Sequence, residues 1–467
     1  MRSTEEMFMA KKVKKRHVVR NSVLIVLAAV LVVLIGWKLI SGYIAALPKY
    51  SYDYGTAETT EPARYPDASF AVISDCHYYD TSLGTTGAAY EACLYSDRKL
   101  LKESAFLVQT AVDRIVGSGV KFVLVCGDVT KDGELVAHQK VTEQLQRLVD
   151  SGLKVYIVPG NHDVNNPDAV RYDGDTSSPV PTVSASDYAS MYANFGYKDA
   201  LMRDPGSLSY VAEPQEGLWI VALDTCEYEK NQPGKEEVWA GELTQDQLNW
   251  TEDVFRQANS LGKAVVVLEH HGVVEHWRGQ SRLHPDYLLS DYKYVQKLYS
   301  SYGVRLAFTG HYHAKDIALF KDGTGGCLYD IETGSLSTPP CPIRFCTIAD
   351  NSISIRTVDI LDSLGADKTE PAMAFVSKTI YDEAYRTLKK YYVSDQGADY
   401  IANRVAEAFF AHYGGDENEA GRVPVDKNKL TLWDRLIYSQ YQYAVNGLWK
   451  DLPPVDNTCT LNLSSAT

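Results

Sequence analysis

Positive charge is in short supply, since 46 lysines and arginines face 60 aspartates and glutamates, a formal net charge of −14. Gripping a nucleic-acid backbone takes the opposite balance, so no nucleic-acid polymer is expected as a partner. Closely spaced cysteine pairs are missing too. The eight cysteines, at 76, 93, 126, 226, 327, 341, 346 and 459, contain no Cys-x-x-Cys spacing, which sets a zinc ribbon aside. The pair best placed for a local disulfide is Cys341 with Cys346, because the prolines at 339, 340 and 342 favour a bend. Cys76 and Cys126 lie in or beside apolar runs and read as buried thiols. No internal repeat is found, which argues against a solenoid or propeller.

What is present is a globular composition, 45% hydrophobic and 23% charged over 467 residues, enough for more than one folded unit. The charge is uneven. The first twenty residues carry Arg2, Lys11, Lys12, Lys14, Lys15, Arg16 and Arg20 against Glu5 and Glu6, and residues 21–37 ("NSVLIVLAAVLVVLIGW") carry none. A membrane-spanning helix takes about twenty apolar residues, and a lysine near its end, here Lys38, can snorkel to the interface. A cleavable signal peptide shares the basic start and apolar middle, but "SGYIAALPKY" offers a poor small-x-small site and no cysteine to accept a lipid. The expectation is therefore a cytoplasmic tail over 1–20 and a retained anchor over 21–43, with the span itself at 22–43. The protein is then single-pass in the cell membrane, with the lipid bilayer as a partner and the remaining chain outside.

Residues 44–66 read as an extended linker with no hydrophobic period. From 67 to 362 short apolar runs alternate with amphipathic stretches. The runs at 70–73, 122–126, 154–158, 219–223, 264–268 and 305–308 read as buried strands. Helical periods fall between them, through Val112, Ile115 and Val116, through Val141, Leu145 and Leu148, and after a capping-box pattern at Thr244 and Gln247. That alternation implies an α/β fold with helices over sheets. Over 363–467 the strand-like runs stop and helical stripes take over: Met373, Val376, Ile380, Ala384 and Leu388; Ile401, Val405, Ala408 and His412, ending at Gly414 and Gly415; and Trp433, Ile437, Tyr441, Ala444 and Leu448. These residues read as a small helical domain or cap.

Chemistry-bearing side chains gather just past the buried runs. Asp75 and His77 follow the first, Asp128 the second, and Asn161, His162 and Asp163 the third; His270 and His271 follow "AVVVL", and His311 and His313 follow "RLAF". Ligands of open α/β sheets bind beyond the carboxyl ends of strands, and turn chemistry alone explains five such segments poorly. Mixed carboxylate, amide and imidazole ligands suit Mn, Fe, Co or Zn better than Mg or Ca. Seven candidate ligands exceed one tetrahedral ion, and two cations sharing a carboxylate fit the count.

The blocks Asp75-x-His77, Gly127-Asp128, Gly160-Asn161-His162-Asp163, His270 and Gly310-His311-x-His313 resemble the five-block signature of calcineurin-like metallophosphoesterases. The resemblance implies a four-layer αββα sandwich of two sheets between helices. By position, it implies one metal on Asp75, His77 and His313 and another on Asn161, His270 and His311, with Asp128 bridging. Stretches such as "VPGNHDVNNP" and "DPGSLSYV", with the helical tail, are similar to exported bacterial phosphodiesterases of this superfamily that act on 3′,5′-cyclic nucleotides.

Two cations roughly 3.5 to 4 Å apart activate a shared water and stabilise charge on a phosphate ester. His162 stands beside a ligand without being needed as one, so it can protonate the leaving oxygen, with Asp163 holding its ring. His271, His276, Thr333 and Ser335 are candidate substrate contacts, as is Gly334; His138 and His276 could line the pocket but read better as structural or surface residues. The reading is a dimetal phosphodiesterase acting on a small diester outside the membrane. Alternatives are a phosphomonoesterase, which wants basic side chains such as Arg171, Arg278 or Arg344 around the phosphate, an envelope-phosphodiester hydrolase, and an inactive metal-containing binding module.

Overall fold

The computed structural model describes residues 62–464 except 324 and 416, together with six positions between 26 and 37. The expected cytoplasmic tail and membrane anchor therefore lie, those six positions apart, outside the described residues. Among the described residues no helix is long and apolar enough to cross a membrane.

The strands in chain order are β1 Ala68–Ile73, β2 Phe122–Val125, β3 Lys154–Ile157, β4 Val170–Asp173, β5 Thr176–Pro179, β6 Met202–Arg203, β7 Tyr210–Gln215, β8 Leu218–Ala222, β9 Ala264–Leu268, β10 Leu306–Thr309, β11 Asp316–Lys321, β12 Cys327–Glu332, β13 Pro342–Ala349, β14 Ser352–Asp359 and β15 Thr458–Asn462. Two sheets carry the fold, ordered β15-β14-β13-β1-β2-β3 and β11-β12-β10-β9-β8-β7-β6, with β4 and β5 forming a separate hairpin. Their centres are parallel: β1, β2 and β3 in one, β8, β9, β10 and β12 in the other. Strands buried on both faces read as continuous apolar runs, and β2 (FVLV) and β9 (AVVVL) are buried at every position. The six expected strands are β1, β2, β3, β8, β9 and β10.

The sheets face one another through aromatic contacts. Phe70 of β1 stacks on Phe122 at 4.8 Å and meets Phe308 of β10 edge-on at 5.4 Å between ring centroids. Helices Ser104–Val116 and Leu135–Asp150 accompany the first sheet, and Gln245–Ser260 and Tyr292–Ser301 the second. The Thr244 capping box forms as expected: its side chain accepts from the Gln247 N–H, and its own N–H donates to Gln247 Oε1 at 2.9 Å.

Several expectations need correction. Cys341 and Cys346 cannot pair, because Cys346 lies inside extended β13 and five strand steps separate the two by roughly 16 Å, beyond the reach of a disulfide. The linker does not run to residue 66 as a free tether. Tyr65 is buried; its hydroxyl donates to the Val265 carbonyl at 2.7 Å and accepts the Arg305 N–H at 3.1 Å. Beyond 362 the three helices form, at Ala366–Lys390, Asp395–Gly414 and Leu432–Gly447. The chain then ends in a strand, since β15 pairs antiparallel with β14 and returns the C-terminus to the first sheet. Two stripes are misaligned: Met373, Trp433 and Tyr441 face solvent, while Tyr438 and Val445 are buried instead.

Candidate metal centre

Parallel pairing brings the carboxyl ends of β1, β2 and β3, and of β9 and β10, to the edges from which the polar loops leave. The loops are tied together there. Asp75 N–H donates to the Gly127 carbonyl at 3.1 Å, His77 N–H to the Asp128 carbonyl at 2.9 Å, and Gly310 N–H to the His270 carbonyl at 3.0 Å. Five of the expected ligands occupy the left-handed region that non-glycine residues avoid: Asp75 (φ 49°), His77 (38°), Asp128 (50°), His311 (74°) and His313 (69°). Two glycines permit the approach. A Cβ on Gly160 would lie 2.1 Å from Asp128 Oδ1, and one on Gly310 would lie 2.0 Å from Ser74 Oγ.

The side chains converge in two triads. Asp75, His77 and His313 form one, with His77 Nε2 3.1 Å from His313 Nε2 and Asp75 Oδ1 3.4 Å from His313 Nε2. Asp128, His270 and His311 form the other. Asp128 Oδ2 stands 3.6 Å from His77 Nε2 and 3.3 Å from His270 Nε2, so it belongs to both, and Asn161 Oδ1 is 3.1 Å from His270 Nε2. The opposite ring nitrogens are held from behind: His270 Nδ1 donates to the Cys126 carbonyl at 2.6 Å, and His313 Nδ1 lies 3.1 Å from Thr338 Oγ1. Such partners aim Nε2 inward. Imidazole nitrogens crowded against one another and against buried carboxylates fit two divalent cations of mixed nitrogen and oxygen preference.

Charge follows from this packing. Burial favours protonated carboxyls, yet hydrogen bonds from His313 and His77 hold Asp75 well below the usual carboxylate range. Burial, with the Lys99 charge adding to it, pushes the His77 imidazole down to about 3. Burial also works against a charged His270, but Asp128 outweighs it and raises the ring to about 9.

His162 lies at the mouth of this centre, in a cleft of about 590 Å³. Its N–H donates to Asp128 Oδ1 at 2.9 Å, its Nδ1 is 3.0 Å from Asp132 Oδ1, and its Nε2 is 3.3 Å from Glu237 Oε1. Burial lowers the imidazole pKa, but Glu237, Asp128 and Asp132 overcome burial and the nearby Lys99 and raise it to about 10. Asp163 does not hold the ring. Its carboxylate accepts the N–H groups of Gly160, Thr130 and Val129 and the Thr130 hydroxyl, at 2.8 to 3.2 Å, and so braces the loop. Asp132 takes the orienting place, four residues after Asp128 in the same loop, with no motif to mark it; Glu237 and Lys99 sit in no motif either.

Other candidates prove structural. His271 is buried with both nitrogens occupied, by Thr225 Oγ1 at 2.7 Å and the Trp239 carbonyl at 2.9 Å. His276 lies in a separate buried network, 2.7 Å from Asp316 and 3.3 Å from Asp330, whose farther members include His412 and Glu417. Ser335 donates to the Asp75 carbonyl at 2.8 Å, and buried Thr333 and Ser335 are both absent from the cleft lining. His138 bonds the Asp163 carbonyl and the Tyr192 hydroxyl, each at 2.8 Å.

The chain resembles several solved structures at low identity. A dimetal phosphatase from Danio rerio shares 17% identity over 64% of this chain and 97% of its own, with a TM-score of 0.44. A purple acid phosphatase from yellow lupin, Lupinus luteus, shares 11% over 64% and 53%, TM-score 0.43. A 5′-nucleotidase precursor from Thermus thermophilus shares 11% over 67% and 59%, TM-score 0.34. No curated protein sequence matches. The sequence pattern of the family described as calcineurin-like phosphoesterase matches residues 68–315, more than half the chain, and every ligand of both triads falls within it. The chain thus belongs to the calcineurin-like phosphoesterases and is a dimetal phosphoester hydrolase.

Proposed function

We propose that the chain is a phosphodiesterase acting on small diesters, with 3′,5′-cyclic nucleotides the best single class, held outside the cell membrane by its apolar segment at 22–43. The observation that carries the diester reading is the charge of the cleft. Apart from Asp128, it is lined by the carboxylates of Asp97, Asp132, Asp168, Glu237, Asp286 and Glu383 against only Arg98, Lys99 and Lys131. Each cation already has an acidic neighbour: Lys131 meets Asp132, Lys99 lies 3.5 Å from Asp97, and Arg98 lies 3.9 Å from Glu383. Such a lining repels a dianionic monoester more than a monoanionic diester. The three arginines that a monoesterase could recruit are elsewhere. Arg171 and Arg278 are absent from the lining, and Arg344 is fully buried on the Glu332, Asp456 and Asp316 carbonyls.

In this reading Asp75, His77 and His313 would hold one cation, Asn161, His270 and His311 the other, with Asp128 placed to serve both. When bound, a pair of divalent ions supplies an activated water and neutralises phosphate charge. The chain's own residues do the rest. His162, kept protonated between Asp132 and Glu237, donates to the departing ester oxygen, and that step matters most where the leaving group is a sugar alkoxide. The apolar run with its basic flank supports the membrane assignment.

The test strips the detergent-solubilised full-length protein with chelator, restores Mn, and compares bis(p-nitrophenyl) phosphate, p-nitrophenyl phosphate and 3′,5′-cyclic AMP. Metal-dependent cleavage of the first and third supports the proposal. Cleavage of p-nitrophenyl phosphate alone establishes the monoesterase, and inactivity on all three, with metal bound, favours a binding module.

A further inference from the structure

The loop joining helices Ala88–Ser96 and Ser104–Val116 sends Lys99 into the cleft beside the metal triads. Lys99 is only 7% exposed, and its ammonium lies 3.4 Å from Nε2 of His162. The ammonium also lies 3.5 Å from Asp97, and both side chains line the same cleft wall as His162. An anionic oxygen entering the cleft beside His162 comes within reach of a charge-assisted hydrogen bond from the Lys99 ammonium.

The backbone around Lys99 is fixed on both sides. Leu100 N–H donates to the Ser337 carbonyl at 2.7 Å, and the Arg98 carbonyl accepts the Thr338 hydroxyl at 3.2 Å. Thr338 is the residue behind His313, and Ser337 lies beside the Asp75 carbonyl. The position of Lys99 is therefore tied to that of the first metal triad.

A second restraint comes from the C-terminal helices. The Arg98 guanidinium donates to the Tyr413 hydroxyl at 3.3 Å and the Tyr287 hydroxyl at 3.5 Å, faces Glu383, and lies over the Phe409 ring at 5.8 Å. Glu383 belongs to Ala366–Lys390, and Phe409 and Tyr413 to Asp395–Gly414. Glu383 and Tyr413 also line the cleft.

We propose that Lys99 contacts the phosphoryl oxygens of the substrate, and that the C-terminal helices hold it there through Arg98. Arg98 is a positioning residue. The assignment rests on the hydrolase reading above and adds to it a phosphate contact outside the metal-ligand set. It also gives the helical segment a part in the active site.

Inorganic phosphate is the probe, with its Kd measured by calorimetry on the Mn-loaded full-length protein. Losing a charge-assisted contact corresponds to a rise in Kd of roughly 10- to 100-fold, which is expected of Lys99→Met, while Lys99→Arg stays within about threefold. Arg98→Leu is expected to raise Kd by roughly three- to tenfold, a smaller loss because the Lys99 charge remains. Metal stoichiometry is unchanged in all three. If the Met variant does not fold, Lys99→Gln keeps a polar group at the buried position and serves in its place. An unchanged phosphate Kd in the neutral variant, with metal retained, overturns the assignment. Because the measurement needs no turnover, it reads out even where the wild-type protein cleaves only p-nitrophenyl phosphate, an outcome that would sink the diesterase reading alone.

Discussion

The strand-end loops and the C-terminal helices fix their side chains by opposite means. In the loops the backbone is forced into left-handed conformations at five ligand residues, glycines admit carboxylates at contact distance, and the His270 and His313 rings are held from behind by a backbone carbonyl and a hydroxyl. Two of the three helices carry a side-chain N-cap, at Ser394 and at Thr431, and all three bury ordinary apolar faces. A loop of the first kind loses its chemistry when one group changes, because strain is tolerated only where the surroundings over-determine it. A helix of the second kind loses stability in proportion to the apolar volume removed.

Asp128 stands between both triads, so its loss carries the largest expected effect. Asp128→Asn is expected to abolish turnover and to release at least one metal equivalent per chain, as measured by elemental analysis after gel filtration. Full metal retention would mean that the bridge is not where the geometry puts it. Next comes His162→Ala, for which kcat should fall by roughly 10²- to 10⁴-fold with metal content unchanged, as loss of a general acid predicts. Equal loss of metal would make His162 a ligand.

How much of this was legible differs between the regions for a physical reason. Ligand atoms must be Asp, Asn or His, and a buried parallel strand must be apolar, so Asp75, Asp128 and His311 announce themselves at the ends of β1, β2 and β10. Asp132 and Lys99 do not. Their roles come from a turn and an interhelical loop that only the folded chain brings to His162, and an acidic or basic residue on a loop is ordinary in sequence. Asp163 misled for the related reason that adjacency in sequence is not contact; its carboxylate turns back onto Gly160 and Thr130. The hairpin of β13 and β14 did carry a signal, since Asp350 and Asn351 form its two-residue turn with φ of 50° and 55°. The pairing of β15 with β14 had none, being set by the return of the whole helical segment.

On the helical side the expected effect is in stability. Ile380 is buried and Met373, two turns earlier on the same stripe, is 42% exposed. Ile380→Ala should lower unfolding free energy by about 2 to 5 kcal/mol, whereas Met373→Ala should change it by less than about 0.5 kcal/mol. Similar losses at the two sites in urea titration would mean that the stripe is not buried as described.

The smallest effect lies behind the strained loops, on a helix that covers the first sheet. His138 sits on helix Leu135–Asp150 and bonds the carbonyl of Asp163, so a helix of the ordinary kind braces the strained loop that carries His162. Burial pushes the His138 imidazole down to about 4, although the Asp163 carbonyl raises it in part. A histidine depressed in the folded state takes up its proton first in the unfolded chain. Its contribution is therefore complete above the unfolded value near 6.5 and is lost as pH falls from there towards 4. Linkage gives a loss of about 2 kcal/mol by pH 5. His138→Gln keeps an amide donor for the Asp163 carbonyl but cannot titrate, so the difference in stability between wild type and variant should move in favour of the variant by that amount between pH 7.5 and pH 5. A difference that stays constant over this interval would mean that His138 is hydrated or already protonated, and that the brace behind the loop is looser than its burial implies.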